Sequence, residues 1–256
     1  MKYAFIGAGN MGGAILRAAT REFGAGNFVV YERDAKLSNR LASEVWTHMA
    51  TSEADAADSA QTIFLCVKPQ YCAEPLQRLA PVLKGTDKTL VSIMAGVTLA
   101  ELRERLDGFS RIVRVMPNMP ALSGKGLMAV ANDTECPEDV TAVLETCGEV
   151  VSIPEHLMNA ETVAAACSPA YVFMFIEAMA DAGVYVGLSR ADATKFAAAA
   201  LSGAAAMVLD GGEPAKLKDA ICSPGGSTIR GVAELENSGF RGAVMRAFKA
   251  SFDSFT

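Results

Sequence analysis

The run Leu217-Lys-Asp-Ala-Ile-Cys-Ser-Pro-Gly-Gly-Ser-Thr228 gathers three hydroxyl side chains around a Pro-Gly-Gly break. The Ser-Pro-Gly-Gly segment interrupts any helix on either side of it. Paired glycines let a ligand come close to the backbone, and consecutive N–H groups can form a concave nest for an anion. The chemistry that suits such a loop is capture of a small carboxylate. At the other end of the chain, Gly7-Ala-Gly-Asn-Met-Gly12 follows a short apolar run and opens a helix-forming stretch. That is the setting of the dinucleotide fingerprint. The first glycine makes the tight turn, the second admits a pyrophosphate to the backbone, and the third lets helix and strand pack.

Further residues fall where ligands of an open α/β sheet bind, beyond the carboxyl ends of the strands. Glu32 ends the second apolar run and would accept from a ribose 2′-OH, which favours NAD. Arg33 beside it could clamp a 2′-phosphate, which favours NADP, so the pair leaves the choice open. The loops Val67-Lys-Pro-Gln70, Met94-Ala-Gly-Val97 and Met116-Pro-Asn-Met-Pro120 end other strand-like runs. The residues expected to contact the dinucleotide are therefore Gly7, Gly9, Asn10, Met11, Gly12, Glu32, Arg33, Val67, Lys68, Pro69, Ala95, Gly96 and Asn118. Lys68 and Asn118 read equally well as a solvated lysine and a turn-capping asparagine.

These loops need a framework. Tyr3–Ile6, Phe28–Tyr31, Thr62–Val67, Leu90–Ile93 and Arg111–Met116 are apolar or β-branched runs separated by helix-forming stretches. That alternation predicts a parallel sheet covered on both faces, with Gly126–Val130 and Val150–Ile153 as two added edge strands. The fold class is α/β, a Rossmann-like doubly wound sheet followed by an all-helical domain. After Pro154 the chain turns to long stretches rich in Ala, Met and Leu: Glu161–Cys167, Ala170–Val186 and Ala191–Leu209. The boundary falls near Pro154–Asn159, giving a dinucleotide-binding domain over 1–155 and a helical domain over 156–256. Helices as apolar as Tyr171–Ile176 must be buried all round, and about 100 residues offer little interior for that. An intertwined dimer through this half is expected.

Hydrophobic residues make up 51% of the 256, enough for a core and a subunit interface. A net charge of −6 without any basic run argues against nucleic acid as a partner. The six cysteines are scattered, with no Cys-x-x-Cys pair, so neither a metal site nor a redox motif is predicted. The first apolar run is too short to span a membrane and no secretory signal is visible, which predicts a cytoplasmic protein with no membrane partner.

Taken together, these segments resemble pyrroline-5-carboxylate reductases over nearly the whole chain. The glycine loop, Val67-Lys-Pro69, Arg111-Ile-Val-Arg-Val-Met-Pro-Asn118, Ser168-Pro-Ala-Tyr-Val-Phe173 and Ser223-Pro-Gly-Gly-Ser-Thr228 stand in that family's order and spacing. The last is the most specific. The resemblance implies NAD(P)H-dependent reduction of Δ1-pyrroline-5-carboxylate to L-proline, a helical dimerisation domain, and often decamers built from dimers. It also implies that Thr228 bonds the substrate at its ring nitrogen, as the catalytic contact. Ser223, Gly225, Gly226 and Ser227 would line the loop that holds the carboxylate. Three departures stand out. Ser227 replaces the Thr or Ala of many members, and Ala165-Ala-Cys-Ser168 replaces a Ser-Gly-Ser-Gly run. The chain also stops soon after Phe255, so a trimmed last helix and an altered higher assembly are expected.

The residue inventory fits imine reduction. Carbonyl reduction usually calls for a strong proton donor beside the oxygen, and the two histidines, His48 and His156, lie outside every candidate loop. A cyclic imine protonated in solution needs positioning more than acid catalysis. Glu213 is a further candidate for the ring N–H. Cys222 and Cys167 lack a histidine partner, so neither is expected to be a nucleophile. Thr228 could instead cap a helix starting near Ile229. The rivals are another imine reductase, a β-hydroxyacid dehydrogenase and a non-catalytic dinucleotide binder. The second needs a lysine that Glu161–Val186 lacks, and the third has no use for the Ser223–Thr228 loop.

Overall fold

The computed structural model describes residues 1–132 and 135–255. Contacts divide the chain into two compact units, Met1–Ala166 with Phe255, and Cys167–Ser254.

Among the described residues the first unit has eight strands: β1 (Tyr3–Ile6), β2 (Phe28–Tyr31), β3 (His48–Met49), β4 (Thr62–Leu65), β5 (Thr89–Ser92), β6 (Ile112–Pro117), β7 (Gly126–Ala131) and β8 (Gly148–Ser152). They lie in the order β3-β2-β1-β4-β5-β6-β7-β8. The first six are parallel and reproduce the dinucleotide-binding order, with the switch point between β1 and β4. Strand residues alternate between the two faces. Tyr3 and Phe5 join the cluster built with Ile15, Leu16 and Val143, while Ala4 and Ile6 join the one built with Leu76, Leu79 and Leu102. Helices α1 (Asn10–Phe23), α2 (Ala35–Val45) and α6 (Glu138–Glu145) contribute to the first cluster. Helices α3 (Glu53–Asp58), α4 (Ala73–Leu83) and α5 (Leu99–Arg105) cover the second. Within the first face the Phe5 and Phe64 rings stack at 4.6 Å and Tyr3 stacks on Phe28 at 5.1 Å. Each such pair adds about 0.5–1.5 kcal/mol beyond its burial.

Two expectations about the sheet are corrected. Of the two added strands only β8 is an edge: β7 lies between β6 and β8, antiparallel to β6 and parallel to β8, so the sheet is mixed. The tight turn through Met119–Ser123 reverses the chain between β6 and β7, and a reversal that short cannot make a parallel crossover. The opposite edge is β3, which sequence reasoning missed because two residues leave no period to read.

Residues 156–166 pack with the sheet unit, beyond the turn near Pro154–Asn159 where composition changes. Helix α7 (Met158–Glu161) buries Met158 against Ala129 and Ala131 of β7. It runs on through a π-helical turn, Thr162–Cys167, into α8 (Ser168–Tyr185). The second unit adds α9 (Arg190–Leu209), α10 (Pro214–Ile221), α11 (Ser227–Asn237) and α12 (Phe240–Asp253). Tyr171 and Phe175 of α8 pack on Phe248 and Phe240 of α12.

Candidate functional site

The loop after β1 turns at Gly7, whose φ of +83° is one that L side chains rarely adopt. Its N–H donates to the Tyr31 carbonyl at 2.9 Å, locking the turn to the end of β2. A Cβ at Gly12 would stand 2.5 Å from Cys66 Cβ, so only glycine lets α1 approach the end of β4 this closely. Burial pushes the Cys66 thiol up, which makes it a neutral spacer. Gly9 differs from both, since a Cβ there would meet nothing within 4 Å. It holds the N-cap of α1, and no side chain caps the helix among the described residues. Open space in front of Gly9 and uncapped first-turn N–H groups are what a pyrophosphate requires.

A cleft of about 410 Å³ opens at this point, lined by Gly7, Gly9, Glu32, Arg33, Val67, Lys68 and Tyr71 among others. It lies at the switch point, at the carboxyl ends of β1, β2 and β4. Lys68 is exposed and starts the short turn Pro69–Tyr71. Asn10 and Met11 form the first turn of α1. The structure brings Gly7, Gly9, Glu32, Arg33, Val67 and Lys68 together around one cleft that fits a dinucleotide, while Asn10, Met11, Gly12 and Pro69 adjoin it in the chain without lining it. Ala95 and Gly96 follow β5, with Gly96 at φ +74°, and they do not line the cleft. Asn118 is buried, its amide spent inside the unit. Nδ2 donates to the Ala165 carbonyl at 3.0 Å and Oδ1 accepts from Leu127 N–H at 3.0 Å. It therefore pins the π-helical turn to the β6–β7 connection.

The second predicted site folds locally. Gly226 N–H donates to the Ser223 carbonyl at 3.0 Å, closing a turn with Pro224 second and Gly225, at φ +68°, third. A type II turn demands that arrangement. A Cβ on Gly226 would collide with Ser223 Oγ. Helix α11 then starts at Ser227 with Gly226 as N-cap, and no side chain caps it. The alternative reading of Thr228 as the cap is thus corrected: Thr228 already lies inside the helix. Its exposed hydroxyl has no hydrogen-bond partner among the described residues. The first turn of α11 thus carries two exposed hydroxyls, Ser227 and Thr228, beside N–H groups that no side chain caps. Glu213 sits at the N-cap of α10, with Oε1 accepting from Lys216 Nζ at 2.6 Å.

One group escaped sequence reasoning. Both carboxyl oxygens of Glu161 are buried without a hydrogen-bond partner among the described residues, and burial pushes its pKa up to about 7. It immediately precedes the π-helical turn, a deviation that recurs at functional sites. A single glutamate in an alanine-rich stretch carries no signal of its own.

Fold and site together define a dinucleotide-dependent oxidoreductase with a Rossmann domain ahead of a helical one. Comparison with known proteins narrows the class. The profile described as pyrroline-5-carboxylate reductase dimerisation matches residues 155–255, and that described as NADP oxidoreductase coenzyme F420-dependent matches residues 2–96. The pyrroline-5-carboxylate reductase of Escherichia coli (strain K12) is 44% identical over 253 residues, covering 96% of this chain and 94% of the relative. That of Corynebacterium melassecola is 37% identical, covering 98% and 96%. A Plasmodium falciparum pyrroline carboxylate reductase solved with NADP bound superposes with a TM-score of 0.88 at 30% identity, covering 100% of this chain and 97% of that one. The chain belongs to the pyrroline-5-carboxylate reductase family.

Proposed function

We propose that the protein reduces Δ1-pyrroline-5-carboxylate to L-proline. The observation that carries this reading is the Ser223–Thr228 turn, which delivers an uncapped helix N-terminus and a free hydroxyl to one small ligand. The N–H groups at the start of α11 and the Ser223 and Ser227 hydroxyls hold the substrate carboxylate. The Thr228 hydroxyl faces the ring nitrogen and fixes the plane of the C=N bond. Because that nitrogen is protonated before it binds, no acid needs to be built into the site. A bound nicotinamide dinucleotide supplies the hydride that completes the amine. Gly7, Gly9 and the first turn of α1 hold its pyrophosphate, and the residues after β2 and β4 hold its adenosine end. The chain's part is to place the two ligands, worth several orders of magnitude in rate.

The protein acts as a homodimer through its helical half, and the assembly extends to a decamer. Supporting this, α8 and α9 leave large apolar side chains in water: Met174 is 68% exposed, Tyr185 92% and Leu209 81%. Both lie in helical segments long and apolar enough to cross a membrane, but the residues matched by the dimerisation profile include them, which favours a protein partner. We place the enzyme in the cytoplasm, without nucleic-acid or membrane partners. The test is oxidation of NADH and NADPH with and without Δ1-pyrroline-5-carboxylate. Substrate-dependent decay is expected, and its absence with both nucleotides overturns the reading.

A further inference from the structure

Two carboxylates and a guanidinium surround the end of β2, at the mouth of the dinucleotide cleft, and they are held unequally. Glu32 Oε2 accepts from Ala8 N–H at 2.7 Å and Oε1 accepts from Asp34 N–H at 3.0 Å. Both oxygens tie this carboxylate inside the cleft, one to the glycine loop and one to its own loop. Asp34 is the N-cap of α2, its Oδ1 accepting from the N–H groups of Lys36 at 2.8 Å and Leu37 at 3.2 Å. The N–H groups that this helix would otherwise offer an anion are taken by the chain itself. Arg33, between the two, rests over the Tyr71 ring, its guanidinium carbon 5.5 Å from the ring centre. Glu32, Arg33, Asp34 and Tyr71 all line the cleft.

In a sheet of this order the adenosine ribose lies beyond the end of β2. A ribose 2′-OH can donate to a fixed carboxylate. A 2′-phosphate, with a charge of about −1.5 to −2, would stand against two carboxylates held by backbone hydrogen bonds and one guanidinium. We propose that the mouth of this cleft selects NADH over NADPH, that Glu32 decides the choice, and that Asp34 reinforces it. Arg33 on Tyr71 then serves the adenine, which both nucleotides share. The inference rests on the dinucleotide reading of the cleft. It departs from the Plasmodium falciparum relative, solved with NADP. On this proposal the choice belongs to two residues after β2, Glu32 and Asp34, and not to the fold.

The test is equilibrium binding of NADH and NADPH to the full chain, read from nucleotide fluorescence without turnover. The wild type should bind NADH about tenfold or more tightly than NADPH, a ratio fixed charges at this range readily produce. Glu32→Gln keeps an amide oxygen for Ala8 N–H and removes the charge. It should narrow the ratio about tenfold, mainly by tightening NADPH. Asp34→Ser keeps the cap and should narrow it severalfold, which guards against a Glu32 variant that loosens the loop. Arg33→Ala should weaken both nucleotides alike. Equal or tighter NADPH binding by the wild type overturns the proposal. So does a ratio unmoved in both charge variants, or an Arg33→Ala loss confined to NADPH. If neither nucleotide binds, the dinucleotide reading falls with it. If NADPH binds tightly and the imine is turned over, the reductase stands and only the selectivity fails.

Discussion

The two ligand-holding regions are made differently. The dinucleotide cleft stands on strand ends whose side chains are buried on both faces, and its loops are tied back to neighbouring strands through Gly7 N–H, Ala8 N–H and Glu32. The Ser223–Thr228 loop, proposed to hold the substrate, is a self-contained turn between α10 and α11, helices without a single fully buried residue. Its geometry comes from Pro224, Gly225 and Gly226 alone. A site at the ends of central strands inherits precision from a closed core, whereas a site between short helices needs either strict local chemistry or a second chain to hold it.

That contrast can be broken at its weakest side first. Replacing Phe173 and Met174, 61% and 68% exposed on α8, with aspartate should abolish dimerisation, at about 3–5 kcal/mol for charges forced into an apolar interface. Sedimentation of the variant reads this directly, and an unchanged dimer would place the interface elsewhere. On the cleft side, Gly12→Val drives a side chain into Cys66 and should cost about 2–3 kcal/mol in urea unfolding. A cost near zero would mean that the strand end yields. Thr228→Ala removes one hydrogen bond to a charged ring and should lower kcat/KM by about 1.5–3 kcal/mol, with dinucleotide affinity unchanged. Unaltered kinetics would remove Thr228 from the reaction.

The smallest effect concerns Glu161. An acid whose pKa rises on folding, here from 4.5 to about 7, binds its proton more tightly in the native state. Below pH 4.5 it costs nothing. Stability falls as pH climbs through that window, and above pH 7 the whole penalty is present. Discounted for its partial exposure, Glu161→Gln should stabilise the protein by about 1–2 kcal/mol at pH 8 and leave it unchanged at pH 4. Thermal melts at the two values decide it, and an equal shift at both would show that charge is not the cause.

Much of this was legible beforehand because it is local. The five apolar runs became β1, β2, β4, β5 and β6, each within a residue or two of its expected limits. The failures were positional. Gly126–Val130 reads as a strand in any register, and nothing in its residues says that it runs antiparallel or lies inside the sheet. In the reading that made Thr228 a cap, the helix after the Ser-Pro-Gly-Gly turn began two residues late, because Ser and Thr attract the N-cap role that Gly226 holds. Met158, just past the change in composition, packs against β7, a long-range contact that its own helical stretch does not announce.

By itself the sequence determined the turn at Gly7, the close approach at Gly12 and the turn at Ser223–Gly226. Each depends on backbone freedom that glycine and proline grant or deny within a few residues. Only the tertiary structure decided where Glu32 spends its oxygens, what Asn118 holds, and that Glu161 is left unpartnered. Those outcomes turn on which segments lie alongside, and residues far apart in the chain carry no mark of the neighbour that folding brings them.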